Sequence, residues 1–171
     1  GMLYKKEIKE IINIFKKFKN DKIALLKCTS LYPSPDDKVN LNAISTFKKN
    51  FPYPIGYSDH TLPDENMIIL TNSYVNGARV IEKHFTDKKG VKGNDHFHSL
   101  DKNDLIKFNN NISLIIETNL AQKQRKVLKC ELKSRKNARR SIVTLGVIAK
   151  GETFTKENLI MKRPGTGLCP T

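Results

Sequence analysis

Short apolar runs alternate with amphipathic stretches along most of this chain, and that alternation limits the possible folds more than any other feature. Lys5–Lys19 (KKEIKEIINIFKKFK) sets Ile8, Ile11, Ile12, Phe15 and Phe18 at helical spacing with lysines opposite, and Asn20-Asp21 closes the predicted helix. Ile23–Cys28 (IALLKC) reads as a strand buried on both faces. After a loop with two prolines, TSLYPSPDD, a helix is predicted over Leu41–Lys49 and a strand over PIGYSDH. Asp64-Glu65 open a helix running to about Asn76, with acids where the helix dipole favours them. Gly77 ends it, and Arg79–Phe85 (RVIEKHF) is the third strand. A glycine-punctuated loop, DKKGVKGNDHFHS, leads to a helix over Leu100–Asn119 with Asp101 as its N-cap. Strands alternating with helices imply βαβ units and a parallel sheet, hence an α/β fold. Three strands leave two edges open, and a closed (β/α)8 barrel takes about 250 residues. The expectation is therefore part of a barrel.

Charge opens other classes. Lysine and arginine number 31 against 17 acids, a formal net charge of +14, which invites a nucleic-acid or membrane-surface partner. Only six of the basic residues are arginine, and the surplus of lysine is also what solvated faces carry. The densest basic run, 121–140, holds Lys123, Arg125, Lys126, Lys129, Lys133, Arg135, Lys136, Arg139 and Arg140 against one acid, Glu131. It suits either a solvated linker or an anion-binding arm. No aromatics are interleaved with it, which makes a nucleic-acid-binding module the weaker alternative. No apolar run approaches the ~20 residues of a membrane span. Cys28, Cys130 and Cys169 lack paired spacing, which points away from disulfides and zinc ribbons and toward a reducing, cytoplasmic setting. Beyond residue 140, SIVTLGVIAKGETFTKENL is β-rich around a glycine turn, the start of a small second domain.

All four histidines, His60, His84, His96 and His98, fall within one stretch, and two of them end consecutive predicted strands. Alternate strand residues share a face. Gly56, Ser58 and His60 therefore point one way and Tyr57 and Asp59 the other, while Glu82 and His84 oppose Lys83 and Phe85. The carboxyl ends of barrel strands carry the active site, so the two imidazoles would converge there. Two histidines beside oxygen donors suit Mn, Fe or Zn; the alternative is that each is a hydrogen-bonded polar residue at a strand end. The Asp95-His96-Phe97-His98 loop is a weaker metal candidate, since short polar loops are commonly surface. Lys83 has Schiff-base chemistry available, but its parity favours a structural or anion-binding role. Cys28 reads as a small buried apolar residue, and Tyr32 can reach the site from the loop after the first strand.

Several motifs then coincide in order: GM, LLKCTSLYPSP, GYSDHT, ARVIEKHFT, GNDHFHSLD and KRPGTGL. Together they resemble the N-acetylneuraminate (sialic acid) synthase family, including the legionaminate and pseudaminate synthases. The resemblance implies the C-terminal part of a TIM (β/α)8 barrel over residues 1–119, a basic linker over 120–140, and the start of an antifreeze-like (SAF) domain over 141–171. It implies condensation of phosphoenolpyruvate with an N-acylated sugar such as N-acetylmannosamine, giving a nonulosonic acid and phosphate. By the same resemblance His60 and His84 hold a divalent metal, typically Mn2+, and Glu82 is the carboxylate beside it. Ser58 is similar to a phosphate contact, Asp95 to a sugar-hydroxyl contact and Tyr32 to a pocket-lining residue. Arg163 resembles the arginine that the antifreeze-like domain extends into the partner's site in a domain-swapped homodimer. The loop HFHSLD departs from the more usual wording, which leaves the acceptor sugar open. The family's first five strands, with their phosphoenolpyruvate-binding residues, have no counterpart here. The chain is thus expected to be incomplete as a catalyst, or a non-catalytic remnant that assembles with an intact relative. Incubated alone with phosphoenolpyruvate, N-acetylmannosamine and manganese, it is expected to release no phosphate, and appreciable turnover in a phosphate assay would overturn that expectation.

Overall fold

The computed structural model describes residues 1–119 and 126–170, so Lys123 and Arg125 of the basic run lie outside the described residues. The chain divides into two compact units, Gly1–Leu120 and Ala121–Thr171. The first opens with helix α1, Lys5–Lys17, whose Glu7 side chain accepts the Tyr4 backbone N–H at 2.6 Å. Lys19 adopts a left-handed φ of 52° and closes the helix, with Asn20 N–H reaching the Phe15 carbonyl and Lys19 N–H that of Lys16. Only Ile12 of the apolar stripe is buried, with Ile8 partly so; Ile11, Phe15 and Phe18 stay exposed. The stripe is wider than the surface it covers.

Strands β1 (Leu25–Cys28), β2 (Ile55–Asp59) and β3 (Val80–Lys83) form a parallel sheet in that order. Helices α2 (Asn42–Asn50), α3 (Ile68–Val75) and α4 (Lys102–Asn119) connect and follow them. Among the described residues the sheet is open, with β1 at one edge. The predicted burial of β1 on both faces is therefore corrected: only Lys27 is fully covered, because the strand has one neighbour. The odd-numbered face packs on the helices through Ile55 and Tyr57 against Ile44, Leu70 and Phe108. The even-numbered face carries exposed Val80 and Glu82. Gly56 is required in this sheet, since a Cβ there would lie 2.5 Å from the Val80 carbonyl oxygen and 2.8 Å from Leu26 Cγ.

Two boundaries differ from the sequence expectation. Asp64 does not sit in the first turn of α3; it caps the helix from outside, its carboxylate accepting the Ile68 N–H at 2.8 Å and the Ile69 N–H at 3.3 Å. The loop before α4 also joins the sheet. Leu100 pairs in parallel with Phe85, its N–H donating to the His84 carbonyl and its own carbonyl accepting from Thr86, both at 2.8 Å. A capping box then starts α4: Asp101 accepts the Asp104 N–H at 2.9 Å and Asp104 accepts the Asp101 N–H at 3.1 Å.

In the second unit, helix α5 (Leu132–Ala138) precedes an antiparallel pair, β4 (Ser141–Thr144) and β5 (Leu159–Lys162). Part of the basic segment is thus helical and folded into this unit, where Gly165 N–H donates to the Lys136 carbonyl at 2.7 Å. The Ser141 hydroxyl, buried, donates to the Pro164 carbonyl and accepts from Gly167 N–H. Among the described residues no helix is long and apolar enough to cross a membrane.

One polar network ties β2 to β3 on the covered face. Lys83 Nζ meets Asp59 Oδ2 at 2.7 Å, with only 3% and 2% of the two side chains exposed, and also donates to the Thr61 carbonyl. Asp59 Oδ1 accepts from the Tyr57 hydroxyl at 2.7 Å and from Thr61 N–H, and the Thr61 hydroxyl donates to Oδ2. Burial and the adjacent carboxylate hold the Tyr57 phenol far above its usual pKa, so it remains a donor. Lys83 accordingly has a structural place, as its parity indicated. Removing one member leaves an uncompensated buried charge. Lys83→Met is expected to cost about 3–5 kcal/mol in urea unfolding. Asp59→Asn combined with Lys83→Met should cost clearly less; equal losses would show that charge pairing is not the source.

Candidate metal centre

His60 and His84 are the first residues past β2 and β3, at the carboxyl ends of neighbouring parallel strands. Their ring centroids lie 5.3 Å apart. The backbone pairing of Leu100 with His84 and Thr86 draws the preceding turn, His96–His98, over the same rim, and Ser99 Oγ tightens it by donating to the Asp95 carbonyl at 2.6 Å. His98 is thereby buried completely, with its ring 4.8 Å from that of His84 and 6.2 Å from that of His60. Tyr32 leans over the group, 4.3 Å from the His60 ring. Its loop is fixed by Ser34, whose N–H donates to the His60 carbonyl at 2.8 Å and whose hydroxyl lies 3.0 Å from the carbonyls of Thr29 and Leu31.

Donor chemistry can be assigned within this group. His60 Nδ1 lies 3.2 Å from the Thr29 carbonyl, which can only accept, so Nδ1 carries the hydrogen and Nε2 keeps its lone pair. Burial lowers the His60 pKa despite that carbonyl, and burial followed by the neighbouring His84 lowers that of His98. Both rings are thus favoured in the neutral form that binds metals. Asp95 Oδ2 is 3.5 Å from His84 Nδ1, and Oδ1 is 4.0 Å from His98 Nε2. Among the described residues neither ring nitrogen of His98 has a hydrogen-bond partner. One ligand atom from each of His84, Asp95 and His98 lies within 4.8 Å of the others. Imidazole nitrogens with one carboxylate form a donor set that fits a borderline divalent cation.

The remaining candidates fall in different places. Ser58 and Glu82 are register partners on the even face, and the Ser58 hydroxyl donates to Glu82 Oε1 at 2.7 Å. Cys28 is not simply an apolar filler: it is half-buried, with Sγ 3.6 Å from His60 Nδ1. His96 turns away from the centre, its Nδ1 2.7 Å from the Thr86 hydroxyl. Arg163 belongs to the second unit, where its Nε donates to the Ala138 carbonyl at 3.0 Å. Sequence reasoning undervalued His98 by treating its loop as surface. The available signal was the apolar Leu100 directly before the Asp101–Asp104 capping box, a pattern that puts residue 100 on the sheet and residue 98 at its rim.

Comparison with known proteins places this geometry in context. Residues 1–125 match the model of the NeuB family. An uncharacterised protein of Methanocaldococcus jannaschii is 41% identical over 95% of this chain and 47% of its own length. An N,N'-diacetyllegionaminic acid synthase of Legionella pneumophila is 38% identical over 100% of this chain and 48% of its own. The crystal structure of an N-acetylneuraminic acid (sialic acid) synthetase from Leptospira borgpetersenii superposes with a TM-score of 0.66 at 33% identity, covering 78% of this chain and 45% of the other. The chain spans about half the length of the curated relatives it matches.

The lowered imidazole pKa values carry a stability consequence. The unfolded chain binds protons at the ordinary histidine value of 6.5, whereas folded His60 and His98 bind them only at lower pH. Below that ordinary value the unfolded state therefore holds more protons, and stability falls as pH drops through the interval between the two. In chelator, the urea midpoint is expected to fall between about pH 7.5 and pH 5, and to fall less in the His98→Phe variant. A midpoint independent of pH over that range would contradict neutral buried imidazoles.

Proposed function

The chain belongs to the NeuB family, and on that premise we propose that it serves a synthase condensing phosphoenolpyruvate with an N-acylated hexosamine-derived sugar, giving a nonulosonic acid and phosphate. The observation that carries the proposal is the meeting of the His60 and His84 rings at the ends of adjacent parallel strands, with the Ser58–Glu82 pair on the same face. His60 and His84 would hold the divalent cation, Mn2+ by family resemblance. When bound, that ion supplies Lewis-acid polarisation of the sugar carbonyl or of the attacking water.

The chain's own residues account for the rest. Glu82 has one carboxylate oxygen engaged by Ser58, which fixes its orientation and leaves the other to accept or return a proton during addition. Ser58 can contact a phosphate as a donor only by rotating its hydroxyl away from Glu82. Tyr32, its ring 4.3 Å from that of His60, would line the approach to the reacting carbonyl. Asp95 has room to accept a sugar hydroxyl from its half-exposed side. In the whole protein we place these groups in a closed TIM barrel, followed by a linker over 120–140 and an antifreeze-like domain whose start is 141–171. Arg163 would reach the partner's site in a domain-swapped homodimer and meet the N-acyl group there. A reducing cytoplasm suits the thiols of Cys28, Cys130 and Cys169.

Paramagnetic broadening tests the sugar half of the proposal on this chain directly. With substoichiometric Mn2+, the proton resonances of N-acetylmannosamine are expected to broaden in the presence of the protein. The His60→Ala, His84→Ala double variant should abolish the effect. Broadening of the same size in both proteins would remove the metal centre from sugar binding.

A further inference from the structure

His98 is the feature that a two-histidine centre does not use. Its ring is fully buried, and among the described residues neither ring nitrogen has a hydrogen-bond partner, with an Asp95 carboxylate oxygen 4.0 Å from Nε2. Leaving a buried polar atom unmatched is destabilising, so a purely structural aromatic here would be better served by a hydrocarbon ring. Phenylalanine is available at this loop, since Phe97 packs against His98 with centroids 4.7 Å apart. The nearest groups with complementary chemistry are the other metal-site donors. Two donors bound to one ion at about 2.1 Å each lie no more than about 4.2 Å apart. Asp95 Oδ1 is 4.0 Å from His98 Nε2 and Asp95 Oδ2 is 3.5 Å from His84 Nδ1, both inside that limit, and with one ligand atom from each of the three residues within 4.8 Å of the others, a small side-chain movement brings all three onto one ion.

We infer that His98 is a third imidazole ligand of the metal centre and sets which ion the centre prefers. The inference rests on the metal site proposed above and extends it. Each nitrogen ligand added to an oxygen-containing set strengthens binding of zinc or cobalt more than that of manganese or magnesium. His98 therefore biases the centre toward the nitrogen-seeking ions, whichever of them the cell supplies.

The variant His98→Phe keeps the ring volume and removes both nitrogens. In chelator it is expected to melt at or above the wild-type temperature, because the unmatched atoms are gone. Titrating Zn2+ and Mn2+ separately by calorimetry, the variant should lose about tenfold or more of its zinc affinity and much less for manganese. The cobalt complex should also lose intensity in its visible d–d bands. His96→Ala, which removes the Thr86 contact instead, should bind both ions as the wild type does. Should His98→Phe melt too early to titrate, His98→Leu gives the same comparison with less steric demand. A zinc-to-manganese preference unchanged in the position-98 variant, while His84→Ala abolishes binding, would overturn the third ligand and leave the two-histidine centre standing. Wild-type protein that binds neither ion would overturn both.

Discussion

The ion pair between Asp59 and Lys83 is the constraint on which the site depends. It joins the last residues of two adjacent strands on the covered side of the sheet, and each partner's next residue is a histidine. Because side chains alternate, fixing positions 59 and 83 toward the helices obliges 58, 60, 82 and 84 toward the opposite face. The carboxylate is fully satisfied by Tyr57 and Thr61, so the pair has one low-energy arrangement and its parity cannot slip without stranding a charge. A buried electrostatic contact on the covered face thus aims the candidate site residues on the other.

The centre itself is assembled from four chain segments that are held in three different ways. His60 and His84 ride on strand ends and inherit the rigidity of the sheet. Tyr32 sits on a loop pinned to the His60 carbonyl through Ser34. His98 reaches the rim on a single turn, anchored by one residue's pairing with β3. The HFH wording of this chain lies in that turn, which is further held by Ser99 to the Asp95 carbonyl and by His96 to Thr86.

Much of this was legible without coordinates. The strand parity around 56–60 and 82–84 followed from alternation alone, and the parallel order followed from helices of crossover length. Gly77 and Asp101 marked helix ends through their local chemistry. Apart from Asp64, whose cap is local, the misses have a common physical cause, which is that they depend on neighbours distant in sequence. β1 reads as a doubly buried run because its residues are apolar, yet burial requires a second flanking strand. Asp64 lies near enough to α3 to resemble a first-turn acid, but its carboxylate reaches forward to cap it. The Ser58–Glu82 contact needs the strand register, which one chain's spelling does not supply. His98 looked solvent-facing because its flanks are polar and glycine-rich. Leu100, by pairing with the end of β3, pulls it inward.

That single paired residue has an effect out of proportion to its size. Leu100 terminates the excursion that begins after Thr86, and its two backbone hydrogen bonds are the latch for everything between. The His96–His98 turn and the sheet margin are consequently one mechanical element. Any force that peels the margin outward withdraws an imidazole, so the competence of the centre doubles as a gauge of whether that border of the sheet is closed.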